Sequence, residues 1–132
     1  HSRQIKQFFL KIQKEKCNQY LMAISLTTVF DADGDNTAQA GATGAANLYA
    51  FEIYNSNSTF SFVQFYDLAA GSVTVGTTTP LFTIPIPPQG AVEKNYTNPK
   101  NFSTALTYAC TTTPTGSGDP STGLVLNLSI RE

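Results

Sequence analysis

The chain has 132 residues, 41% of them hydrophobic and only 13% charged, with a formal net charge of −1. That length suits one domain with a core of its own, and no apolar run approaches the ~20 residues that a membrane-spanning helix needs. The charge is unevenly placed. Arg3, Lys6, Lys11, Lys14 and Lys16 face one acid, Glu15, before Met22, whereas from Met22 onward three basic residues stand against eight carboxylates, a net of −5. An acidic domain argues against nucleic acid as its partner.

Residues 1–21 form a basic segment, rich in Lys and Gln and free of Gly and Pro, set apart from a domain spanning 22–132. Three readings of it stand side by side. Ile5, Phe8, Phe9 and Ile12 recur at i, i+3, i+4 and i+7, one apolar stripe of a helix. The lysine pattern also suits a basic amphipathic surface anchor. The third reading starts from His1, which does not initiate translation, and takes the segment as upstream sequence read through to a natural start at Met22. On that reading Lys14-Glu15-Lys16 is purine-rich in any coding, as a ribosome-binding site is. The segment is kept outside the fold on all three.

In the domain, residues 24–30 read as a first strand, followed by the turn-like run Asp31 to Asn36. Residues 37–46, rich in Ala and Gly and without periodicity, read as a mobile loop. Residues 48–54 and 60–66 are dense in aromatic and β-branched side chains and flank the turn formers Asn55 to Thr59, so they read as a central hairpin. Tyr49, Phe51 and Ile53 share one face of the first run. In the second, Val63 and Phe65 share a face with Ser61, opposite Phe60, Phe62 and Tyr66. Residues 68–80 are a long connection with a short strand at 73–75. Residues 81–88 form an edge strand, because Pro85, Pro87 and Pro88 withhold ladder donors. A short strand at 90–94 precedes a loop at 95–101, with Asn98-Pro99 as a turn. Residues 102–110 form a strand, 111–123 a loop, and 124–130 a last strand whose Leu124, Leu126, Leu128 and Ile130 share a face. The expected fold is an all-β antiparallel sandwich, jelly-roll-like, of about six to eight strands.

Catalytic parts are scarce. The sole histidine is His1, so neither a Ser-His-Asp nor a Cys-His arrangement has a base, and zinc has too few ligands. No spacing brings together any two of Glu52, Asp67 and Glu93 for glycoside cleavage. The expectation is a protein without enzymatic activity or cofactor. The sharpest local signal is Asp31, Asp33 and Asp35, carboxylates at positions 1, 3 and 5 of a calcium-loop pattern. Asn36 at position 6 and Ala42 at position 12 exclude an EF-hand. A looser calcium site and a turn with Asp side chains bonded to nearby backbone remain. Cys110, at the end of a strand, is expected as a buried free thiol rather than half of a disulfide with Cys17. Sequons at Asn57, Asn95, Asn101 and Asn127 are of the number that a chain with about a fifth Ser and Thr produces by chance. Tyr54, Phe60, Phe62 and Tyr66 form a candidate interface with a second copy, with a sugar-stacking platform as the alternative.

From about Ala45 onward the chain resembles small phage virion structural proteins. The elements that carry the resemblance are Leu48-Tyr49-Ala50-Phe51 leading to Asn55, and Phe62-Val63-Gln64-Phe65-Tyr66-Asp67. They continue with Val75-Gly76-Thr77-Thr78-Thr79-Pro80, Ile84-Pro85-Ile86-Pro87, Phe102-Ser103-Thr104-Ala105-Leu106 and the Thr-rich tract before Leu124-Val125-Leu126-Asn127-Leu128. Ala50 stands where such proteins commonly have Gly, a departure that leaves the strand intact. The resemblance implies a head-decoration or head-fibre β-sandwich in the virion, self-associating and contacting other virion proteins, with no catalysis and no membrane. A competing expectation is a secreted, extracellular carbohydrate-binding or adhesin-type module, using the Tyr/Phe surface and calcium at Asp31, Asp33 and Asp35.

Overall fold

The computed structural model describes residues 4–8, 10–11 and 25–132; residues 4–8 and 10–11 are helical and exposed. The proposed start at Met22 lies outside the described residues, as does Cys17. Eight strands follow: β1 (Thr27–Gly34), β2 (Gln39–Ala42), β3 (Ala46–Asn55), β4 (Ser61–Tyr66), β5 (Phe82–Ile86), β6 (Gly90–Phe102), β7 (Leu106–Thr111) and β8 (Leu124–Arg131). They form two four-stranded sheets, β1-β8-β3-β6 and β2-β7-β4-β5, and every pairing is antiparallel.

The logic of this order is a long hairpin rolled up. β1 pairs with β8, β2 with β7, β3 with β6 and β4 with β5, as in one folded ribbon. Rolling the ribbon then adds the pairings β3–β8 and β4–β7, which split it into two sheets. That is the eight-stranded jelly roll.

The core lies between the sheets. Leu124, Leu126, Leu128 and Ile130 of β8 are fully buried, and Val125, Asn127 and Ser129 alternate with them on the outside. Across from them Phe65 stacks on Phe82 at 4.8 Å, and Phe102 closes the cluster at 6.3 Å from Phe65. In β3 the residues turned inward are Leu48, Phe51 and Ile53. The register slips between Leu48 and Ala50, where two steps on β3 answer one on β8, so Tyr49 is the extra residue and leaves the core face on which the sequence places it.

Several expectations are corrected. The runs at 48–54 and 60–66 are not a hairpin: they lie in different sheets, and the turn formers between them carry the chain across the sandwich. Asn55 makes this corner, fully buried, with Nδ2 donating to the carbonyls of Thr59, Ile86 and Pro87 and Oδ1 accepting from Asn57 and Ser61. Residues 37–46 are not a loop throughout, since β2 pairs there with β7. Its small side chains suit the close approach: a Cβ on Gly41 would sit 2.7 Å from Leu106 Cδ2. The short strand expected at 73–75 is absent; residues 70–72 form a single 3₁₀ turn. Residues 95–101 belong to β6, and Pro99 is tolerated because β6 is the edge of its sheet. Residues 103–105 are a turn before β7 rather than its first part.

The two outer faces differ. On the β2-β7-β4-β5 sheet, Gln64, Tyr66, Thr107, Ala109 and Thr111 point away from the core yet are buried. Loops lie over them. Thr107 Oγ1 donates to the Leu68 carbonyl at 2.6 Å, and Gln64 Nε2 donates to Thr111 Oγ1 at 2.8 Å and to the carbonyls of Thr113 and Gly116 at 3.3 and 2.9 Å. The β1-β8-β3-β6 sheet has no such cover.

Candidate interaction surface

The three aspartates do not converge. Asp31 Oδ2 accepts from the Tyr108 hydroxyl at 2.8 Å, and its Oδ1 accepts the Asp33 N–H at 3.0 Å. Asp35 Oδ1 accepts the Thr37 N–H at 2.9 Å, while its carbonyl accepts the Cys110 N–H at 2.7 Å. Asp33 is exposed on β1, whose register shifts between Asp31 and Gly34, so the three side chains leave the backbone in different directions. No group of three or more His, Cys, Asp or Glu side chains able to hold a metal occurs among the described residues. The calcium expectation at Asp31, Asp33 and Asp35 is therefore corrected to the other alternative, Asp side chains that fold back on nearby backbone.

Beneath this region lies Cys110, a free and fully buried thiol as expected. Burial pushes its pKa well above the ordinary value, and the nearby Asp31 and Asp35 charges add to the rise. The Tyr108 phenol is also pushed up, first by burial and then by its hydrogen bond to Asp31.

The aromatic set is divided as well. Tyr66 is fully buried; its hydroxyl donates to Gln64 Oε1 under the covering loops, and it cannot reach a partner. That part of the interface expectation is corrected, because an outward-facing strand position is only exposed where nothing lies over the sheet. Phe60, 50% exposed, and half-buried Phe62 stay together with ring centroids 6.4 Å apart. Tyr54, 44% exposed, lies on the outside of the other sheet, since its neighbours Ile53 and Asn55 point inward. A single platform of all four does not form.

The chain matches no family model, no curated protein and no solved structure.

What the fold does assemble, and sequence spacing does not show, is a row across the uncovered sheet. Phe30 is opposite Asn127, Asn127 opposite Glu52, and Glu52 opposite Glu93. One step along, Val125, Tyr54 and Ala91 form the next row, and Ser129, Ala50 and Asn95 the one on the other side. Ala50, Glu52, Glu93, Asn95, Asn127 and Ser129 surround a shallow open depression of about 190 Å³. Like charges directly opposite in a sheet are unfavourable, so Glu52 facing Glu93 is a local cost that a cationic partner would relieve. The signal that finds this pair is β3–β6 register, which is a long-range property.

The sequons meet different surroundings. Asn57 has its whole amide engaged: Nδ2 donates to Asn55 Oδ1 and the Thr122 carbonyl, and Oδ1 accepts the Thr122 N–H, all at 2.8 Å. Asn127 is half-buried in β8, and Asn95 and Asn101 are exposed on β6.

Proposed function

We propose that this protein is a non-enzymatic structural component of a phage virion, of head-decoration or head-fibre type, that associates with copies of itself and with other virion proteins. The observation that carries the reading is the jelly-roll order, β1-β8-β3-β6 against β2-β7-β4-β5, an architecture recurrent in viral capsid domains. It agrees with the sequence resemblance over the same residues. The surface is consistent with repeated packing. The free sheet edges are blunted by Pro85 on β5 and Pro99 on β6, so contact between copies falls to sheet faces and not to open-ended strand addition.

Lectin domains share this architecture, which keeps a secreted carbohydrate-binding or adhesin-type module as the alternative. It loses two of its supports in the dispersed aspartates and the divided aromatic set.

Light scattering of the full chain across a range of concentrations, with and without chelator, tests the proposal alongside a glycan-binding screen. A closed oligomer indifferent to chelator and to sugars is the expected result. A monomer at every concentration whose glycan binding is lost in Tyr54→Ala would overturn the virion reading.

A further inference from the structure

We infer that the basic N-terminal segment of one copy docks on the uncovered β1-β8-β3-β6 face of a second copy, across the Glu52–Glu93 pair. This rests on the self-association proposed above and names its surface.

Charge is the first argument. The segment carries five basic residues against one acid, and the domain a net of −5. On the outer face the two carboxylates stand directly opposite one another on β3 and β6. Lys94, although adjacent to Glu93, is turned to the opposite side of β6, where its Nζ lies 5.6 Å from the centre of the Tyr96 ring. Arg131 shares the outer face but sits four residues beyond Asn127 on β8, roughly 13 Å along the strand. The middle of the face is therefore acidic.

Shape and hydrophobicity give the second argument. The row Phe30–Asn127–Glu52–Glu93 crosses four strands, roughly 14 Å at the usual strand spacing, enough to seat a helix of about 10 Å diameter. Phe30, 63% exposed, and Tyr54, 44% exposed, give it apolar ground beside the carboxylates. On the helical residues, Ile5 and Phe8 lie on one stripe, and at about 100° per residue Lys6 and Lys11 fall on its two flanks. A helix laid with that stripe on Phe30 and Tyr54 extends its lysines toward the acidic row.

The third argument selects a second copy over the same chain. Within one chain Ile5 is 56% exposed and Leu10 64% exposed, and the sheet face is open. The chain does not cover itself, so the complementary surfaces are left for a neighbour.

The test is charge reversal with rescue in the full chain, read as solution mass by light scattering, with circular dichroism confirming that each variant keeps its strands. Glu52→Lys with Glu93→Lys, or Lys6→Glu with Lys11→Glu, should each raise the half-association concentration at least about tenfold. Raising salt from low to physiological strength should weaken wild-type association in the same direction. Combining the two sets of reversals should restore association. Variants that associate as wild type would overturn this inference and leave the virion reading standing, since contact would then lie elsewhere. A wild-type chain that is monomeric throughout would overturn both.

Discussion

Asp67 shows how much one carboxylate can organise. It follows β4 and reaches the turn before β7, where Oδ2 accepts the Ser103 N–H and hydroxyl at 3.1 and 2.9 Å, and Oδ1 accepts the N–H groups of Thr104 and Ala105 at 2.8 and 3.3 Å. The backbone N–H of Thr104 is the largest influence holding its pKa below the ordinary carboxylate value, with burial opposing and the other donors assisting. A lowered folded pKa means that stability is fully present above the unfolded value, near 3.8, and is lost as pH falls through the folded one. Asp67→Asn should therefore cost about 1 kcal/mol at neutral pH, a figure kept small because the site is only partly buried. Urea titrations at a series of pH values should show the gap between wild type and variant closing below pH ~4. A gap that stays constant down to pH ~2 would remove the charge from the explanation.

At the scale of elements, legibility in the sequence followed how local each signal is. The β8 alternation was readable because one face is core and the other is open, so the period of two survives in the residue pattern. β5 was readable as an edge because its prolines forbid a second ladder. Residues 55–59 announced a reversal of the chain, but nothing in a turn former states whether the next strand rejoins the same sheet or crosses to the other. β2 was missed because Gln-Ala-Gly-Ala has no strand propensity; its place is set by β7. The same distinction governs the site: the aspartate and aromatic sets were visible because they are close in sequence, and the Glu52–Glu93 pair was not, because it depends on register.

The corner built by Asn55 gives the matching prediction. Its amide satisfies carbonyls from three residues, two of them across the fold at Ile86 and Pro87, and supports Asn57, which in turn binds Thr122. Asn55→Ala leaves these groups buried without partners and should cost about 2–4 kcal/mol. Asn57→Ala, closer to solvent, should cost about 1–2 kcal/mol. The two share a network, so the double variant should cost less than the sum. Chemical denaturation of the three variants measures this, and strict additivity would show that Asn57 acts independently of the corner.

For the whole molecule the decisive feature is that β1 is held by β8, so the first strand of the domain closes only when the last is in place. β8 sits between β1 and β3, and removing it would strip both neighbours of a ladder and the core of four fully buried side chains. Little of this fold can open piecemeal at its centre, and Cys110 reports on that centre. Its Sγ lies where a Cβ on Gly34 would approach to 2.8 Å, which places β1, β7 and the inner face of β8 in one contact. The thiol is buried and held protonated, so labelling requires it to be exposed first. In a Cys17→Ser background, labelling of Cys110 by a thiol reagent should be slowed at least about a thousand-fold relative to the denatured chain. Its rate should rise with denaturant along the slope of global unfolding, because the only route to the sulfur is loss of the whole sandwich. Labelling that is fast in native buffer, or flat in denaturant, would instead mean that β1 and β2 peel away while β3 to β8 stay folded, making the β1–β8 closure a late and separable step.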